Sequence, residues 1–66
     1  MSSYTAEEKA KEAEREVSYR EYVYKKRVDE GKMTLKEASR RIAIMGEIAT
    51  EYRSKAEAEK KEGLLL

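Results

Sequence analysis

Residues 34–56, TLKEASRRIAIMGEIATEYRSKA, decide how this chain is read. Leu35, Ala38, Ile42, Met45, Ala49, Tyr52 and Ala56 follow one another at steps of three, four, three, four, three and four. An unbroken 3.5-residue repeat on an α-helix draws one continuous apolar stripe, and such a stripe needs a partner helix. The chain upstream has to supply it.

Working outward, Thr34 and Glu37 form a capping box that opens this helix, and Asp29-Glu30-Gly31-Lys32-Met33 before them reads as a turn. Gly31 is placed to close a preceding helix, because glycine alone adopts the left-handed C′ conformation at no steric cost. Further upstream, Thr5 and Glu8 form a second capping box, and Glu7 and Glu8 suit the positive end of a helix dipole. Between Ala6 and Asp29 no proline interrupts a run rich in Ala, Glu, Lys and Arg. The expectation is an all-α antiparallel two-helix hairpin in a single domain, residues 1–66. Its helices fall at about 6–29 and 35–62, joined by a turn at 30–34, with Gly63 as a stop and an apolar tail at 64–66.

The first helix carries the stripe Ala6, Ala10, Ala13, Val17, Tyr24 and Val28, with Arg20 in the gap. Antiparallel pairing about Gly31 matches positions whose numbers sum to 62 or 63. Large residues then face small ones: Tyr24 meets Ala38, Val17 meets Met45, and Tyr52 meets Ala10. Val28 is paired with Leu35. Tyr19, Tyr22 and Val23 make a further apolar patch on the first helix, and Ile44 and Ile48 widen the second helix on one flank. A helix apolar on two sides is covered on two sides. These five residues are the expected interface. Gly46 admits either a close approach by a helix or ligand or no purpose at all. The leucine tail is expected to fold back on the last turn or on a neighbouring subunit. The i,i+4 pairs Glu7–Lys11, Glu16–Arg20, Glu21–Lys25, Glu37–Arg41, Glu51–Lys55 and Glu57–Lys61 add about 0.3 kcal/mol each.

Composition limits the chemistry. Sixty-six residues make one small domain with a thin core, and chains this short add disulfides, a metal or self-association. There is no cysteine and no histidine. Disulfides, thiolate or imidazole catalysis and the usual zinc sites are therefore closed. No cofactor is expected and no catalytic residue can be assigned. Self-association remains, as a homo-oligomer that is a dimer or higher, with two-fold closure the commonest symmetry. No apolar run reaches the length of a membrane span or a signal-peptide core, so no membrane partner and a cytoplasmic location are expected.

The net charge of +1 hides a separation. Residues 20–41 hold Arg20, Lys25, Lys26, Arg27, Lys32, Lys36, Arg40 and Arg41 against Glu21, Asp29, Glu30 and Glu37, a net of +4. Residues 1–19 carry −2 and residues 42–66 carry −1. Arginine offers planar, bidentate donors to phosphate or carboxylate, and Tyr19, Tyr22 and Tyr24 lie beside them as stacking surfaces. Arg20, Tyr24, Arg27, Arg40 and Arg41 are the candidate ligand-binding residues. The competing reading is a solvated basic face with tyrosines in an interface. Arg20 and Arg41 lie near the apolar stripes, where a charge needs a partner or an anion; Glu16 and Glu37, one turn away, are the local alternatives. Duplex DNA is disfavoured, because the chain lacks a third helix and a compact helix-turn-helix, and +4 is a small footprint.

Val17, Arg20, Val23-Tyr24, Val28, Gly31-Lys32-Met33-Thr34, Ala38, Ile42-Ala43-Ile44-Met45, Ile48-Ala49 and Tyr52-Arg53 together resemble a family of small helical proteins encoded by bacteriophages and prophages. The resemblance covers about half of the chain, the turn and most of the second helix. Lys25 stands where such proteins often carry a proline, and Gly46 where an acidic residue is usual. The resemblance implies a helical fold and phage origin, and it supplies no catalytic residues. By analogy with small phage proteins it implies stoichiometric binding in the host cytoplasm. The chain would sequester an anionic nucleotide-like ligand at subunit junctions to antagonise host defence, or mask a host defence protein, a phage protein or a nucleoprotein complex.

Overall fold

A computed structural model describes residues 3–65, with side chains from 3 to 63. It contains two helices packed against each other, α1 (Ala6–Asp29) and α2 (Leu35–Leu65), and no strand among the described residues. The molecule is a rod of 53 × 19 × 18 Å.

The caps explain where the helices start. Thr5 is extended, its carbonyl accepts from Lys9 N–H at 3.1 Å, and its Oγ1 accepts from Glu8 N–H at 3.1 Å. Glu8 Oε1 in turn accepts from Thr5 N–H at 3.2 Å, which completes the reciprocal box. At α2, Thr34 Oγ1 accepts from Glu37 N–H at 3.1 Å. The turn closes as a Schellman motif. Gly31 has φ 75°, its N–H donates to Val28 O at 3.0 Å, and Lys32 N–H donates to Arg27 O at 2.8 Å. Two otherwise orphaned carbonyls are satisfied, and the chain reverses.

Burial fits the expected register, and the cross-helix contacts of Arg20 with the Arg41 carbonyl and of Lys9 with the Tyr52 ring, each summing to 61, lie one step from it. Among the described residues, the buried ones are Ala6, Ala10, Ala13, Tyr24, Ala38, Ala49 and Ala56. Ala6 with Ala56, Ala13 with Ala49, and Tyr24 with Ala38 each sum to 62, the pairing the periodicity predicts. Six of these seven are alanines, and Tyr24 is the one large side chain among them. An alanine methyl contributes far less burial than the about 1.5–3 kcal/mol of a larger apolar side chain. The seam is therefore close but thin.

Three expectations are corrected. Leu35 begins the stripe in sequence yet is 70% exposed: it is the first residue of α2, and the half-buried Val28, its expected partner, leaves a shallow gap beside it instead of covering it. Gly63 does not stop α2, which runs through it to Leu65. Glycine tolerates the right-handed helical conformation as readily as the left-handed one, and nothing turns the chain there. Of the expected i,i+4 ion pairs only Glu16–Arg20 forms; Glu7 reaches across to α2 instead. The fold-back of the leucine tail lies outside the described side chains and residues.

The helices present two distinct flanks. At about 100° per residue, Arg20, Arg27, Val23 and Tyr19 depart from the seam residue Tyr24 in one rotational sense. Arg41, Ile48 and Ile44 depart from Ala49 in that same sense, which in an antiparallel pair is the same flank. The opposite flank holds Glu7, Glu14, Gly46 and Arg53.

Candidate functional site

The turn half of the first flank brings four of the five candidate ligand residues together. The Tyr24 ring, 6% exposed, is the centre. Arg20 precedes it by four residues and Arg27 follows by three, the two spacings that place helical side chains on one face. Arg41 arrives from α2. Their guanidinium carbons lie 5.9, 5.9 and 5.4 Å from the ring centroid, within cation–π range.

The three arginines are held differently. Arg20 is a strut. Its Nε donates to Glu16 Oε1 at 2.9 Å, and its Nη1 donates to the backbone carbonyl of Arg41 at 3.0 Å. Its side chain is 19% exposed. Of the two readings open for Arg20, the local salt bridge is the one formed. Arg27 and Arg41 lean on the ring with no carboxylate within ion-pair distance among the described residues, and Glu37 is not paired with Arg41. Arg40, next to Arg41 and about 100° round the helix, is exposed and stands outside the cluster.

The tyrosines separate as well. Tyr24 is buried and already faced by cations, so its ring is not open to a base. Tyr19 and Tyr22 are 58% and 77% exposed. Ile44 is exposed, whereas Val23 and Ile48 are half-buried. Tyr22, two residues from Tyr24, points away from α2.

The other flank carries a feature that the sequence reading passed over. Arg53 Nε and Nη2 grip Glu14 at 3.0 and 2.9 Å in a bidentate fork, and Nη1 donates to Glu7. Hydrogen bonding from Arg53, opposed by partial desolvation and aided by its charge, holds the Glu14 carboxyl below its ordinary 4.5. The same bonds, those to Glu14 first, raise the Arg53 guanidinium above its ordinary value. The signal was available. Glu7 and Glu14 are seven apart, hence on one face, and residue 53 lies opposite the gap between them in a register summing to 62.

Around Gly46 an added Cβ would meet nothing within 4 Å, so no part of the chain itself approaches there. No described helix is long and apolar enough to cross a membrane. Among the described residues, no group of three or more His, Cys, Asp or Glu side chains could hold a metal ion.

Comparison with protein-family models, curated proteins and solved structures gives no match to this chain. The likeness to phage proteins therefore rests on the motif residues alone.

Proposed function

We propose that this chain is a non-enzymatic, phage-type binding protein that works as a homo-oligomer in the host cytoplasm and captures an anionic, nucleotide-like ligand to antagonise host defence. The observation that carries the reading is the pair Arg27 and Arg41. Two guanidiniums from different helices are steered by one tyrosine ring and left without a carboxylate, so their forked donors are free for phosphate. Arg20 serves as a positioning residue, tying α1 to the main chain of α2 beneath them. Tyr24 is the platform for the arginines, and any base would stack on Tyr19, the exposed ring on this flank. Arg40 plays no part.

Native mass spectrometry of protein purified from a bacterial host, followed by denaturing extraction, tests this. A nucleotide-sized mass that disappears in Arg27→Gln/Arg41→Gln supports it. Ligand-free protein that also shows no thermal shift with adenine or guanine nucleotides overturns it.

The exposed apolar surface at Tyr19, Tyr22 and Ile44 favours a second reading, in which the protein masks a host defence or phage protein. Tyr22 separates the two readings. It lies away from the arginine cluster, so Tyr22→Ser should leave an anion site intact and weaken a protein-masking surface.

A further inference from the structure

The flank that carries the arginine cluster continues into an apolar strip, Val23, Tyr19, Ile44 and Ile48, which α1 and α2 contribute jointly. Three properties of this strip point to one occupant.

The first is where it lies. At about 1.5 Å per residue, Tyr19 and Ile44 sit midway between the turn and the Ala6–Ala56 end of the paired helices. Ile48 sits midway along the full 53 Å rod. A two-fold axis crossing the strip at right angles to the rod superposes two copies over most of their length, whereas a strip near one end would leave most of each rod hanging free.

The second is charge. The turn third carries +4, and the remaining segments carry −2 and −1. Reversing one copy on the other sets the basic end of each over the acidic end of its partner; placing the copies parallel stacks like on like.

The third is area. The paired helices, about 38 Å long at 1.5 Å per residue and 19 Å across, offer each copy a face of about 700 Å² in projection, close to the roughly 800 Å² per partner in a standard stable interface. The alanine seam leaves each hairpin short of buried apolar surface, and a second copy supplies what a small scaffold lacks.

We infer that two copies of this chain pack antiparallel across the Val23–Tyr19–Ile44–Ile48 strip. The two-fold axis passes near Ile44 and Ile48, giving a four-helix assembly in which α1 lies on the partner's α1 and α2 on the partner's α2. Gly46 and the Arg53 clamp, on the other flank, stay outside this contact. The inference deepens the self-association in the function proposed above, and it puts Arg27 and Arg41 on the interface flank, where the partner's acidic end competes with an anionic ligand.

Because the chain has no cysteine, single introduced thiols report the geometry directly. The full-length chain is first sized by light scattering, where a dimer is expected. Ile48→Cys, beside the axis, then forms a disulfide with its own counterpart on mild oxidation. Lys55→Cys, on the same flank but far from the axis, does not. Ile44→Asp, at an exposed position, is expected to lower the mass to that of a monomer while helical circular dichroism is retained. A monomeric wild-type chain, a self-link at Lys55→Cys or a dimer without the Ile48→Cys link overturns the proposal. A dimer with the Ile48→Cys link, without one at Lys55→Cys, and with no bound ligand leaves it standing while refuting nucleotide capture.

Discussion

The Arg20 side chain of α1 donates from Nη1 to the backbone carbonyl of Arg41 in α2, 3.0 Å away. A charged donor on a main-chain acceptor fixes the axial position of one helix against the other in a way that apolar contact cannot. The same guanidinium holds Glu16 and lies against Tyr24, so three interactions depend on one side chain.

Arg20→Ala should therefore destabilise the hairpin by about 1–2 kcal/mol, the range for a charge-assisted hydrogen bond with partial exposure. Arg20→Lys should recover less than half, because an ammonium cannot serve Glu16 and the carbonyl with a planar fork. Thermal unfolding followed by circular dichroism reads both variants, and an Arg20→Lys protein as stable as wild type would refute the strut.

The Arg53 clamp sets an acid limit. The Glu14 carboxyl is held below its ordinary 4.5 in the folded chain, so its contribution is complete above that value. It is lost as pH falls through the lower, folded value. Arg53 stays charged throughout this range. Glu14→Gln should thus unfold at a lower temperature than wild type at pH 7, and the gap should narrow progressively as pH is taken below 4.5. A gap of unchanged size in acid would show that the carboxylate charge is irrelevant.

The two central glycines should respond in opposite directions. Gly31 stands at φ 75°, and Gly31→Ala should cost about 1–2 kcal/mol for forcing a side chain into the left-handed region. Gly46 lies inside α2 with open space around it, and Gly46→Ala should stabilise by about 1 kcal/mol. It should leave dimerisation untouched. Chemical denaturation of both variants gives the signs, and light scattering of Gly46→Ala checks that its flank is free.

Tyr24→Ala should be the most damaging change at the turn end. It removes a large buried side chain and the surface on which Arg20, Arg27 and Arg41 rest, for about 3–5 kcal/mol by analogy with other aromatic truncations. Tyr24→Phe keeps the ring and should remain close to wild type in thermal midpoint.

The backbone was legible in the sequence because its determinants are local. Thr5, Thr34 and Gly31 act through bonds no more than five residues away, and the seam follows from a repeat that places Ala38, Ala49 and Ala56 on one side. Residues 6, 13 and 24 then follow from a single sum. What resisted reading depended on competition between partners. Glu7 had Lys11 one turn away but is taken by Arg53, since a guanidinium spanning two helices serves Glu7 and Glu14 together. Tyr24 reads in sequence both as a seam residue opposite Ala38 and as a stacking surface, and the packing of Arg20, Arg27 and Arg41 around it shows the ring used by the chain's own cations. Gly63 and Gly31 are the same residue type in opposite conformations, because only at residue 31 must the chain reverse.

The alanine seam has a mechanical consequence. The buried alanine methyls on the two helices are of one size, so these particular contacts set distance but barely set phase. Phase comes from three discrete pegs, Tyr24 over Ala38, Arg20 on the Arg41 carbonyl, and Arg53 between Glu7 and Glu14. The hairpin is accordingly aligned by a few polar and aromatic stops near its two ends, while the alanines fix how closely the two helices approach.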